Sequence, residues 1–103
     1  MSSAFELDIS YKILIISIMN EIDWKPKAVR QLEKIKDRIT RQKIYLETQS
    51  LIDFPDCQGV KKLTNHEYSY RLRVGDFRVF FEFDGNVHII SIEEVKKRDD
   101  RTY

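Results

Sequence analysis

One cysteine, Cys57, stands in a chain of 103 residues, so no intrachain disulfide can form. A lone thiol fits a reducing compartment, and we expect a cytoplasmic protein. No helix N-terminus or histidine is evident beside Cys57, which reads as a small buried or loop residue without chemistry. Histidine is equally scarce. His66 and His88 are the only two, and no CxxC, HExxH or Asp-rich calcium loop occurs. Nor is there a GxxxxGKS/T or GxGxxG loop to cradle a nucleotide, or a GxSxG nucleophile turn. We expect no metal and no cofactor. His66, between Asn65 and Glu67, reads as an exposed turn residue, and His88 as a packed strand residue.

Three glycines and two prolines leave little room for linkers, and 103 residues is a common size for one domain. The one long apolar run, Ile13 to Met19, has seven residues. A bilayer span needs about 20. Glu6 and Asp8 precede the run where a signal peptide carries basic residues, so we expect no targeting segment and no membrane partner. Residues 1–18 read either as an extra strand or as an extension ahead of a start at Met19. Residues 19–103 read as a single domain.

The net charge of +1 conceals a polarised chain. Residues 24–45 carry eight basic side chains against Glu33 and Asp37, whereas the flanking segments are both net acidic. One basic segment in a near-neutral chain permits a polyanionic partner.

Periodicity then gives an order of elements. Glu21 to Trp24 alternates polar and apolar, as an edge strand does. Pro26 suits a first helical position, and Ala28, Val29, Leu32 and Ile35 share a face. A second helix from about Asp37 to Ile52 carries Ile44, Thr48, Leu51 and Ile52, and Phe54-Pro55 ends it. From Lys61 the period becomes two. Tyr70, Leu72 and Val74 share one face with Phe77, Val79, Phe81 and Phe83 across a Gly75-Asp76 turn. Asp84-Gly85-Asn86 makes a second turn, and Val87 to Ile92 a third strand before a charged tail. The class is α+β: an N-terminal strand, an αα-hairpin, then an antiparallel meander of three to four strands covered by helices on one side.

That alternation gathers Arg71, Arg73, Arg78, Phe80 and Glu82 on the face away from the core. The plain reading is a solvated face, with the arginines paired to Glu82 and Glu67. The other is a phosphate site. Guanidinium is always charged, and its planar fork of donors suits phosphate oxygens. Several on a rigid sheet can stabilise charge growing on phosphorus. A tyrosine among cations can relay a proton and stack on a base.

The segment from Tyr70 to Phe81, YRLRVGDFRVFF, followed by an apolar strand and a basic tail ending in Tyr103, resembles the RelE/ParE superfamily of toxins. WKPKAVRQLEKI resembles the start of that family's first helix, and VKKL its strand entry; the resemblance spans roughly residues 21–103. It implies a microbial-RNase-like fold and a cognate antitoxin. For the RelE branch it implies ribosome-dependent cleavage of mRNA in the A site, by 2′-hydroxyl attack without metal or cofactor. It places Arg78 on the scissile phosphate, Arg71 beside it for charge or proton delivery, and Arg98 (or Lys97) against the transition state. Tyr103 would activate the 2′-hydroxyl and stack on substrate. Arg73 and Lys97 would bind RNA, and Lys27, Arg30, Lys34, Arg38 and Arg41 would face ribosomal RNA. The chain departs from RelE at Ser69, where that branch has lysine, and by one residue in the spacing from Arg98 to Tyr103. A ParE-like gyrase inhibitor and an inactive antitoxin-binding member are the alternatives.

Overall fold

The computed structural model of the chain describes residues 19–98. The expected extension at 1–18 and the site residue Tyr103 lie outside the described residues. Strand β1 is Glu21–Trp24, helix α1 Pro26–Glu33 and helix α2 Arg38–Gln49, with a 3₁₀ turn over Ser50–Asp53. Strands β2 (Val60–Lys62), β3 (Tyr70–Val74), β4 (Phe77–Asp84) and β5 (Ile89–Lys97) follow.

Pro26 opens α1 as its sequence predicts. Asp37 caps α2, accepting from the Ile39 amide at 3.3 Å and the Thr40 hydroxyl at 2.6 Å. Thr48 is fully buried inside α2, and its hydroxyl donates to the Ile44 carbonyl at 2.7 Å, so no polar group is stranded.

The five strands form one mixed sheet in the order β1-β5-β4-β3-β2. The meander is antiparallel, but β1 pairs parallel with β5, Glu21 opposite Ile89. Both helices pack on one face. Ala28, Ile44 and Leu51 meet Leu72, Val74, Val79, Phe81, Ile90, Ile92 and Val95 in a single buried cluster. Phe77 and Phe83, expected in that core, are half-buried at its margin. The buried Asn20 amide fastens the sheet to the helical layer through the Leu51 and Phe54 carbonyls, at 3.1 and 2.8 Å.

Two expectations about the last strand are corrected. His88 is not on a strand: residues 85–88 form a turn, and His88 has a φ of 56° there. The strand also runs on past Ile92 to Lys97. Its two-residue period is broken by a bulge, because Phe80 faces Glu94 while Phe81 faces Ile92. Glu93 is the extra residue, so the buried positions go from Ile90 and Ile92 to Val95. Without that shift Glu94 and Lys96 would point into the core. Beyond Trp24 the β5 edge has no strand partner among the described residues, and the Gln31 side chain of α1 accepts from the Val95 amide at 2.7 Å.

Candidate functional site

Leu72, Val74 and Val79 are buried under the helices, so the alternate residues Arg71, Arg73 and Arg78 fall on the opposite face. Register sets them close together. Arg73 sits directly opposite Arg78, and Arg71 opposite Phe80. The two-residue hairpin needs a positive φ at its first position, which Gly75 supplies at 57°. The Arg98 amide then donates to the Asp76 carbonyl at 2.7 Å, pinning the end of β5 to the hairpin tip. The result is a cleft of about 120 Å³ lined by Arg71, Arg73, Arg78 and Arg98 with the Gly75–Phe77 turn.

Asp76 lies in the lining, but among the described residues no carboxylate forms an ion pair with the four arginines. Among the described residues the ion pairs are Lys25–Asp23 at 3.0 Å and Lys27–Glu94 at 3.4 Å, and neither involves the four arginines. Glu82 does not pair with them; it accepts from the Ser69 amide at 3.0 Å. Like charges directly across a ladder destabilise a sheet. Arg73 and Arg78 are such a pair, and their charges also reach Arg71. Burial first, then the charges of Arg78 and Arg73, hold its guanidinium below the ordinary value. Its Nε is buried with no hydrogen-bond partner among the described residues. Such an arrangement costs stability and suits an anion that arrives from outside.

Beside the cleft stands a second polar network that periodicity does not reveal, because the bulge creates it. Glu94 Oε1 accepts from the Tyr68 hydroxyl at 3.0 Å and from Lys27 Nζ at 3.4 Å. Burial opposes the Glu94 charge, but the hydrogen bonds from Tyr68, Lys27 and Gln31 outweigh it and hold the carboxyl below its ordinary value. Burial, then the bond to Glu94, pushes the Tyr68 phenol up to about 12. A depressed carboxyl contributes stability that is complete above the unfolded pKa, about 4.3, and lost as pH falls through the folded one. Glu94→Gln should therefore flatten the fall in melting temperature on the acid side of pH 5 and lower it by a few degrees at pH 7. An unchanged acid limb would show that the network carries no charge-dependent stability.

The helical cations are placed differently from the arginines. Lys27 is engaged by Glu94, and Arg41 donates to the Ile35 carbonyl at 2.6 Å, bracing the turn between the helices. Arg30, Lys34 and Arg38 are exposed. Lys34 and Lys97 line a separate cavity of about 600 Å³ that meets the arginine cleft at the Gly75–Phe77 turn. Cys57 is half-buried, and burial raises its thiol. Among the described residues no three His, Cys, Asp or Glu side chains gather to hold a metal ion, and no helix is long and apolar enough to cross a membrane.

Residues 22–101 match the family described as the ParE toxin of the type II toxin–antitoxin system parDE. The chain belongs to that family. It is a type II toxin of the RelE/ParE superfamily, and solved RelE structures share its fold. The RelE–RelB complex of Pyrococcus horikoshii is 21% identical with a TM-score of 0.67, the match covering 80% of this chain and 98% of that one. The RelBE2 complex of Mycobacterium tuberculosis is 22% identical with a TM-score of 0.63, over 78% and 99% of the two chains. Isolated RelE of Escherichia coli, at 13% identity, gives a TM-score of 0.66 over 81% and 88%. Among curated proteins none matches the sequence.

Proposed function

We propose that this toxin is a cytoplasmic endoribonuclease that cuts mRNA in the ribosomal A site. The observation that carries the reading is the cleft of four arginines, none of which forms an ion pair among the described residues. A folded protein tolerates such a cluster at a cost, and a bound phosphodiester would relieve it. In the reaction the ribose 2′-hydroxyl attacks phosphorus, the bond to the 5′-oxygen of the next nucleotide breaks, and a 2′,3′-cyclic phosphate remains. Arg78 holds the non-bridging oxygens. Arg71 and Arg98 stabilise the charge that grows as the two oxygens exchange. Tyr103 takes the hydroxyl proton, and Arg71 or water returns one to the departing 5′-oxygen, roles that resemblance alone assigns. A cognate antitoxin is the expected partner, as RelB is for RelE in the related complexes.

Purified toxin, programmed ribosomes and end-mapped mRNA test the reading. Cleavage in the A-site codon, dependent on the ribosome and leaving a cyclic phosphate, is the expected outcome. The match to the ParE family supports a second reading, a gyrase inhibitor that acts by binding. Gyrase-linked DNA breaks with intact transcripts would replace the first reading by the second.

Of the five helical cations that the resemblance turns toward ribosomal RNA, Arg30, Lys34 and Arg38 are exposed and have no side-chain partner among the described residues. Reversing all three should weaken ribosome binding and lower its dependence on log salt by about 0.7–0.9 for each phosphate no longer neutralised. An unchanged salt slope would remove the helices from the ribosome interface.

A further inference from the structure

The arginine face is not bare beyond the cleft. The segment between β2 and β3 folds back across it, closed by the Leu63 amide donating to the Ser69 carbonyl at 2.8 Å. Asn65 turns the chain with a φ of 52°. The His66 ring lies nearly parallel to Phe80, centroids 5.1 Å apart and planes 17° apart. Tyr68 flanks the same ring at 5.5 Å. Phe80 is consequently 5% exposed, although periodicity assigns it to the open face. His66 itself is exposed.

This stack is held in place. The Tyr68 amide donates to His66 Nδ1 at 3.0 Å, which fixes the ring and, in the neutral imidazole, leaves the proton on Nε2. The Tyr68 hydroxyl is anchored on Glu94. The stack also adjoins the arginines. Phe80 is the cross-strand neighbour of Arg71, and Arg78 lies two residues along the same face of β4, about 7 Å away. A side chain that merely covered Phe80 would need neither a fixed plane nor a flat ring. An oriented aromatic ring beside a phosphate site is what single-stranded RNA binders use to hold a base.

We propose that His66, backed by Phe80 and Tyr68, is the stacking platform for a nucleobase adjacent to the phosphate in the arginine cleft. The proposal rests on that cleft taking an RNA phosphate. Stacking on a ring face is tolerant of base identity, so the platform serves positioning more than sequence choice.

Two probes separate the platform from the cleft. A 2′-O-methyl hexaribonucleotide carries bases but no attacking hydroxyl, and inorganic polyphosphate carries charge but no bases. Both are titrated at low salt into the full chain. His66→Ala should weaken the hexanucleotide about tenfold and leave polyphosphate unchanged, and His66→Phe should restore hexanucleotide binding. Arg78→Ala should weaken both. His66→Trp adds a readout independent of affinity: indole fluorescence above the Trp24 background should be quenched by the hexanucleotide and not by polyphosphate. If His66→Ala binds the hexanucleotide like wild type, or loses both probes equally, the platform is wrong and the cleft stands. If Arg78→Ala binds both probes like wild type, the phosphate reading fails and the platform loses its premise.

Discussion

Arg78→Ala should yield a folded toxin that no longer arrests growth. Arg78 is half-buried on β4, opposite Arg73, in a cleft whose cations have no carboxylate partner among the described residues. Removing one preorganised donor from a site of growing negative charge typically costs about 10²–10³ in rate. The loss should fall on the cleavage step, read in single turnover on programmed ribosomes. Arg78→Lys keeps the charge but loses the planar fork, and should fall between. Stability should move the other way or not at all. The substitution breaks no ion pair among the described residues and relieves like-charge repulsion across the ladder. Arg73→Ala is the matched control: it relieves the same repulsion from an exposed position and should cost much less activity. Equal toxicity of Arg78→Ala and wild type would end the catalytic assignment.

The arginine face was legible because strand alternation is a local property. Once Gly75-Asp76 is read as a two-residue turn, the register of β3 on β4 follows, and Arg71, Arg73 and Arg78 must share a face. Arg98 was reachable only through resemblance. Its place depends on a bulge at Glu93 and on a hydrogen bond to Asp76, and neither leaves a pattern in a run of charged residues. The parallel pairing of β1 with β5 was hidden for a related reason. Four residues of alternating polarity announce a strand but not its partner, which lies about 70 residues away and is chosen by how the helices pack. His66 is the exposed turn residue that its neighbours predict, but its stacking on Phe80, which buries that ring, was not legible, since a stack between a loop and a strand has no period.

The two polar networks on this face carry opposite energetics. Glu94, Tyr68 and Lys27 satisfy one another, and their pairing supports the fold. The arginines of the cleft form no ion pair among the described residues. Stability and function thus separate within one surface: substitutions in the first group should lower melting temperature, and substitutions in the second should lower activity while sparing or raising it. Active sites commonly trade stability in this way.

Arg71→Met is the sharpest case. Its guanidinium is partly buried, repelled by Arg78 and Arg73, and has a buried Nε without an acceptor among the described residues. An unsatisfied buried polar group costs about 1–3 kcal/mol, and an apolar side chain of similar length removes that cost. Allowing for the solvent that still reaches Arg71, a gain of about 1 kcal/mol is expected, or roughly 4–8 °C in melting temperature for a domain of this size. Cleavage should fall about 10²-fold, because the cation that crowds the folded protein is the one that meets the substrate's charge. Salt offers an internal check. Screening should raise the melting temperature of wild type more than that of Arg71→Met, since the variant has less repulsion to screen. A variant that melts lower and still cleaves would mean that Arg71 is held by contacts within the protein. A variant that melts higher and is inactive would mean that the cleft is kept strained for a phosphate.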